Sequence, residues 1–517
     1  MGDSAGRTEQ KPSASAEQEE SPGSRAEAIT ESRRRLRWGG IVGGLVLAGV
    51  IFLVMPGDLA VAARVTAATA ALMAVWWMTE AIPIPATALL PLVIFPVLVD
   101  DVGVDDVGAS YGNNIIFLFM GGFMLALAMQ RWNLHRRIAL LTVRAMGTRP
   151  SMVVAGFMLA TGFISMWVSN TATAVMMLPI GISVLVLVAN LENADSQEVK
   201  DAVVRSNFGT ALMLGIAYAA SLGSLATIIG TPPNTLLVGY MDSAHDVQIG
   251  FGQWMLVGLP LAVVFLVFCW WLLTQVLFKP EIDEIPGGRE MLSDELDKLG
   301  PMSQGEWRVL AVFVLAAVSW VSVPLVFDDP PVSDAGIAMI VAVLLFLLPG
   351  GASPGVRLLD WDAAVELPWG VLLLFGGGLA LSAQFTESGL TEWIGESVEA
   401  LGAVPVLLLV AIVAAGVLGL TELTSNTATA ATFLPVAGGV ALGLGLDPLL
   451  LAIPVALAAT CAFMLPVATP PNAIAFGSGY VTIGQMIKGG FWLNMFGIVA
   501  ITLTTMTLAA WVFGIAY

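Results

Sequence analysis

Cysteine and histidine are nearly missing from this sequence. Its 517 residues hold two cysteines, Cys269 and Cys461, and two histidines, His135 and His245. Two cysteines in apolar segments cannot build a disulfide framework or a thiolate metal site, and two histidines cannot form a histidine metal cluster. Charge is scarce as well, at 12% of residues. What charge there is leans acidic, −18 formally, which argues against nucleic acid as a partner. No glycine-rich loop stands between a strand pattern and a helix pattern, so a nucleotide loop is excluded, and no nucleophile–histidine pair speaks for an enzyme.

Apolar residues take the space. They make up 57% of the chain, and mean hydropathy is +0.86, which places the chain in the membrane class. Residues 1–37 are polar and read as a disordered cytoplasmic tail ending in Arg33, Arg34, Arg35 and Arg37. Apolar segments of spanning length follow at about 39–55, 59–79, 83–98, 114–130, 208–240 and 254–278 in a first half of residues 38–278. A charged cytoplasmic linker, 279–306, leads to a second half, 307–517, with spans at about 307–327, 334–349, 365–386, 448–480 and 489–515. Between the second and third spans lies Trp76-Trp77-Met78-Thr79-Glu80-Ala81-Ile82-Pro83-Ile84-Pro85, where the prolines break the helix.

The two halves repeat one plan. Ser169-Asn170-Thr171-Ala172-Thr173-Ala174 recurs as Ser425-Asn426-Thr427-Ala428-Thr429-Ala430 at an offset of 256, and Phe119-Met120-Gly121-Gly122 matches Phe375-Gly376-Gly377-Gly378 at the same offset. Gly230-Thr231-Pro232-Pro233-Asn234 is echoed by Ala468-Thr469-Pro470-Pro471-Asn472 at an offset of 238. Each Ser-Asn-Thr lies in the middle of an apolar stretch, about 152–190 and 404–445, which reads as a re-entrant hairpin with a polar tip. The expected fold is therefore an all-α polytopic membrane protein. It has eleven transmembrane helices and two re-entrant hairpins, arranged as two inverted-topology repeats behind an extra first span.

Positive charge tests that count. With the N-terminus inside and the C-terminus outside, all but one of the 21 Lys and Arg residues fall on the cytoplasmic face, Lys200 and Arg205 among them. Only Arg64 falls outside. The outer loops hold Asp100, Asp101, Asp105, Asp106, Asp328, Asp329 and Glu392 instead.

A Ser-Asn-Thr tip offers hydroxyls, an amide and free backbone groups. A half-helix that starts there points its N–H groups at the tip, where carboxylate, sulfate or phosphate oxygens can bind without arginine. The half-helix that ends there leaves carbonyls free for a hard cation such as Na⁺. A Thr-Pro-Pro-Asn segment removes two N–H donors and leaves an unwound stretch with more free carbonyls. One copy alone reads equally well as a simple proline kink in a packed helix. Two copies, each downstream of a Ser-Asn-Thr, read as paired breaks. Glu422 lies one turn before Asn426; a structural carboxylate and a proton relay are both open for it.

These motifs together resemble the divalent anion/sodium symporter family, the sodium-coupled di/tricarboxylate or sulfate transporters, over about residues 40–517. The resemblance implies a homodimer in the cell membrane whose transport domain moves against a scaffold like an elevator. By motif match, Ser169, Asn170, Thr171, Thr231, Ser425, Asn426, Thr427, Thr469 and Pro470 would contact substrate. One Na⁺ would be held by Ser165, Asn170 and Gly230, the other by Thr421, Asn426 and Ala468. No cofactor is implied beyond Na⁺ as coupling ion. The function implied is Na⁺-coupled symport of a small dianion such as succinate, malate or fumarate. Na⁺-independent exchange, sulfate or tricarboxylate transport and an anion channel are the alternatives.

Overall fold

The computed structural model describes residues 30–189, 206–285, 288–327, 330–397 and 404–517. Residues 1–29 of the tail, Lys200, Arg205, Asp328 and Asp329 lie outside the described residues. Among the described residues the chain is helical apart from turns and one isolated bridge, Pro349 to Arg357. Helix is what an apolar chain needs in lipid, because each backbone group must find its partner inside the segment. Among the described residues, eight helices are long and apolar enough to cross a membrane, and five shorter apolar helices accompany them.

Helix α1 (Glu31–Val54) lies along α2 (Val61–Thr79). Two glycines bring the pair close: a Cβ at Gly40 would stand 2.1 Å from Thr79 Oγ1, and one at Gly44 2.6 Å from Trp76 Nε1. The helix begins earlier than expected, so Arg33 to Arg37 form its first turns. An Arg35–Glu31 pair at 2.6 Å and an Arg33–Glu80 pair at 3.0 Å favour that extension. Arg64, the one base expected outside, stays local: its guanidinium donates twice to Phe52 O and lies over the Phe52 ring. The third expected span is divided by its prolines into a single turn, Ile84–Thr87, and α3 (Pro91–Leu98).

Helix α4 (Asn114–Arg131) leads into α5 (Leu134–Met146), an amphipathic helix where the sequence showed only a run of bases. Then come α6 (Pro150–Ser165) and α7 (Asn170–Ala189), α8 (Asn207–Ser224) and α9 (Pro232–His245), and α10 (Phe251–Trp271). The linker is not all loop: it contains α11 (Gly288–Leu299), which packs on α5. Arg136 pairs with Glu295 at 2.7 Å, and the buried Arg137 with Glu306 at 2.6 Å. Helices α12 (Gln304–Val326), α13 (Asp334–Leu347), α14 (Trp369–Glu387) and α15 (Leu390–Ser397) follow. The chain closes with α16 (Val406–Thr421), α17 (Asn426–Gly443), α18 (Leu449–Thr460), α19 (Pro470–Gly477) and α20 (Ile483–Thr504).

Several elements recur in both halves, and the halves interlock. Helix α6 packs on α8 as α16 packs on α18, and α10 and α20 each run into a π-helical turn, Leu272–Leu277 and Thr505–Ala509. Across the halves, α8 packs on α19 and α18 on α9, while α7 meets α19 and α17 meets α9. The repeated glycines serve close approach. A Cβ at Gly121 would stand 2.6 Å from Ala338 O, and one at Gly377 2.2 Å from Ala88 O. At the end of α4, Trp132 fills a slot between Gly305 and Gly350, where added Cβ atoms would stand 2.0 and 2.4 Å from its ring. Its Nε1 donates to Leu358 O at 2.8 Å, and Arg131 pairs with Asp360.

Candidate functional site

Both Ser-Asn-Thr segments lie where one helix stops and the next starts. Helix α6 ends at Ser165 and α7 begins at Asn170; α16 ends at Thr421 and α17 begins at Asn426. All six tip residues, Ser169, Asn170, Thr171, Ser425, Asn426 and Thr427, are half-buried. Ser169 Oγ accepts the N–H of Ala172 at 3.2 Å, an N-terminal cap. The remaining first-turn N–H groups of α7 and α17 give each tip a positive edge.

The second half gathers oxygens at its tip. Thr421 Oγ1 donates to Ala459 O at 2.8 Å and lies 2.9 Å from Asn426 Oδ1. The same amide position lies 3.1 Å from Ala459 O and 3.2 Å from Ala468 O. With oxygen there, an acceptor faces backbone carbonyls, an arrangement that a hard cation resolves. Turned over, the amide nitrogen donates to all three neighbours. Thr421, Asn426 and Ala468 are thus brought together as expected. The carbonyl of Ala459 joins them; a backbone oxygen leaves no mark in a sequence.

The first half is arranged differently. Ser165 Oγ donates to Ala220 O at 2.5 Å, much as Thr421 does to Ala459, one position away from the strict 238-residue match. Asn170 Oδ1, however, accepts the N–H of Thr171 at 2.9 Å. Gly230 lies against the backbone of Ser224, where a Cβ would be 2.3 Å from the carbonyl oxygen. Among the described residues no hydrogen bond joins Ser165, Asn170 and Gly230 to one another, and none joins the two tips.

The broken spans are braced by their asparagines. Asn234 Nδ2 donates to Ser224 O at 3.5 Å, Leu225 O at 3.2 Å and Thr227 O at 2.9 Å. Asn472 Nδ2 donates to Ala462 O at 3.1 Å and Leu465 O at 3.2 Å, the carbonyls that the 238-residue offset assigns to Ser224 and Thr227. An unwound stretch in apolar surroundings must pair its carbonyls, and this amide does it in both copies. Thr469 caps α19 by accepting from Asn472 N at 3.3 Å, and Pro470 opens that helix as an exposed N1 residue. Thr231 is buried and reaches across the repeat, its hydroxyl 3.4 Å from that of Thr460.

Glu422 is held as a structural carboxylate. Its oxygens accept from the N–H groups of Phe463, Met464 and Leu465 at 2.8 to 3.1 Å and from Asn494 Nδ2 at 2.7 Å. Three successive N–H groups form a nest that suits a negative charge without a basic side chain. A cavity of about 490 Å³ lies elsewhere, between α4, α9, α10 and α12, with Asn114, Asp242 and Asp334 in its wall and no tip residue.

Residues 35–515 match the family model of the sodium:sulfate symporter transmembrane region. A protein named sodium-dependent dicarboxylate transporter SdcS, from Staphylococcus saprophyticus, is 43% identical over 480 residues, 92% of each chain. Its namesake from Staphylococcus aureus strain USA300 is 42% identical over 482 residues, 91% of this chain and 92% of that one. Two solved transporters share the fold at low identity. The YdaH transporter of Alcanivorax borkumensis has a TM-score of 0.51 at 14% identity, covering 86% of this chain and 98% of its own. MtrF of Neisseria gonorrhoeae has 0.52 at 13%, covering 91% and 98%. With paired helix breaks, an all-helical apolar chain and a family match along nearly its whole length, this multi-pass membrane protein belongs to the sodium:sulfate symporter family of transporters.

Proposed function

We propose that this chain is a Na⁺-coupled symporter of C4-dicarboxylates such as succinate, malate or fumarate. The observation that carries the reading is the amide of Asn426, set among Thr421 Oγ1, Ala459 O and Ala468 O. That donor set fits Na⁺ through neutral oxygens. Asn426 also opens α17, so one residue touches the cation on one side and an anion at the helix start on the other. A Na⁺ there offsets the charge of a dianion entering a low-dielectric site that has no arginine. The names of the staphylococcal relatives support both sodium and dicarboxylate. Ser165, Asn170 and Gly230 would hold a second Na⁺ once the Asn170 carboxamide leaves Thr171. Ser169, Asn170, Thr171, Thr231, Ser425, Asn426, Thr427, Thr469 and Pro470 would line the substrate site.

The architecture belongs to the same reading: eleven crossings and two re-entrant hairpins, N-terminus cytoplasmic, C-terminus outside, working as a homodimer by an elevator movement. Helix α7 contains a window long enough to cross the membrane, Asn170–Val188. The Ser-Asn-Thr in its first turn and Pro179 inside it favour re-entry over crossing.

The test is uptake of radiolabelled succinate into proteoliposomes with and without a Na⁺ gradient, with sulfate and citrate as competitors. Uptake should require Na⁺. Asn426→Ala should weaken both Na⁺ dependence and succinate affinity. Thr427→Ala should mainly weaken succinate binding, by about 1–3 kcal/mol. Succinate affinity independent of Na⁺ in the wild type would overturn symport in favour of exchange. A Na⁺ response untouched by Asn426→Ala would remove the shared-ligand assignment.

A further inference from the structure

Trp167 lies two residues before the first tip, and nothing in the site described above uses it. Its side chain is buried at 7% exposure. The indole lies nearly parallel to Phe251, with centroids 6.1 Å apart, and to Trp320 at 6.5 Å, while Phe313 meets it edge-on at 4.9 Å. Phe313 and Trp320 belong to α12, in the opposite half. The receiving rings are themselves fixed. Phe251 stacks on Trp320 at 4.5 Å, Trp320 Nε1 donates to Asp334 O at 3.0 Å, and Phe251 N donates to Asp334 Oδ2 at 2.8 Å.

Two further observations single this contact out. Trp167 Nε1 is buried and has no hydrogen-bond partner among the described residues. A buried indole N–H normally finds an acceptor, so the ring contacts hold Trp167 in place against that cost. The repeat supplies a control. The position matching Trp167 at the 256-residue offset is Leu423, which is 69% exposed. Each tip is tied to its own broken span, through Met166 O and Thr227 Oγ1 at 2.5 Å in the first half and through Glu422 in the second. The ring contacts of Trp167 seat the first tip on α12 as well.

We propose that Trp167 is a positioning residue that docks the first tip on α12 and so sets where Ser169, Asn170 and Thr171 stand. The second tip has no such residue: its matching position is the exposed Leu423. The inference rests on the tips being the binding site. Any movement of the first hairpin along α12 must draw the indole out of its slot, so the slot favours the conformation described here.

The test begins with a readout that needs no substrate. On a background with Cys269 and Cys461 replaced, a thiol at Val168, which is 2% exposed, is alkylated with a small membrane-permeant maleimide. Labelling should be slow with Trp167 or Trp167→Phe and about tenfold faster with Trp167→Ala. In uptake assays Trp167→Ala should raise the Na⁺ and succinate concentrations for half-maximal rate about three- to tenfold. Trp167→Phe should restore most of the affinity, and Leu423→Ala should change nothing. Phe313→Ala should act like Trp167→Ala, and the double variant should be no worse than Trp167→Ala. Unchanged labelling in Trp167→Ala, or fully additive effects with Phe313→Ala, overturns the proposal. Wild-type failure to take up succinate, with Val168 still shielded by Trp167, counts against the assigned substrate and leaves the docking standing.

Discussion

Asn494 and Glu422 meet at 2.7 Å in the interior, an amide N–H on a carboxylate oxygen. The same oxygen also accepts from Phe463 N and Met464 N, so α20, the end of α16 and the second broken span share one anchor. Removing the carboxylate leaves three backbone N–H groups and one amide without acceptors. Glu422→Ala should cost about 3 kcal/mol or more. Glu422→Gln, which keeps one oxygen and turns an NH₂ toward donors, should cost roughly half that. Thermal unfolding in detergent measures both. A melting temperature for Glu422→Ala equal to wild type would show that the nest is not holding the segment.

The slot for Trp132 predicts an overpacking effect. A methyl group at Gly305 would lie 2.0 Å from the indole, and the ring is pinned by its bond to Leu358 O. Gly305→Ala should destabilise by about 1–3 kcal/mol. Adding Trp132→Phe, a smaller ring, should recover part of the loss. Independent, additive effects of the two substitutions would mean the residues do not press on each other.

His245 should give the protein an acid-sensitive step. Burial holds its imidazole below the usual value, and Asp447 pulls it part of the way back. Its Nε2 lies 2.7 Å from Tyr240 Oη. The unfolded chain therefore binds this proton more readily than the folded one. The stability contribution is complete above the unfolded pKa of about 6.5 and is lost as pH falls through that value toward the lower, folded one. The melting temperature should fall between about pH 7.5 and 5.5, and fall less in His245→Gln. Equal losses in both proteins would place the acid sensitivity elsewhere.

Sidedness can be read from two exposed residues on the helices that follow α4 and α14, Arg144 and Glu392. On the cysteine-free background, a thiol at Arg144 should react only from the cytoplasm and one at Glu392 only from outside. Reaction of both from the same side would rule out inverted repeats.

The helix breaks were legible because proline and clustered polar residues inside an apolar run are costly in lipid unless the chain unwinds there. The family resemblance that those breaks carry then named Thr421, Asn426 and Ala468 before their contacts were known. The short charged helices α5, α11 and α15 were not legible: they carry bases or acids on one face, and in a membrane chain such stretches look like loops. The carbonyl of Ala459 was invisible because a main-chain oxygen carries no residue signature. Asn234 and Asn472 stood in plain view inside their motif, yet their bracing role depends on carbonyls seven to ten residues upstream that only the fold brings round. The Trp132 slot needed three distant glycine and tryptophan positions at once. The Trp167 slot joined the first hairpin to α12 with no repeat to announce it.

The bond from Trp132 to Leu358 also has a meaning in time. Its two ends are 226 residues apart. At about 5–20 residues per second, a ribosome needs on the order of ten to fifty seconds to make that intervening chain. During that interval the indole N–H has no Leu358 to meet, and α8, buried along nearly its whole length, lacks the cover of α19. The first half is therefore synthesised with its slots and faces open, and it must wait in the bilayer for a counterpart still being translated.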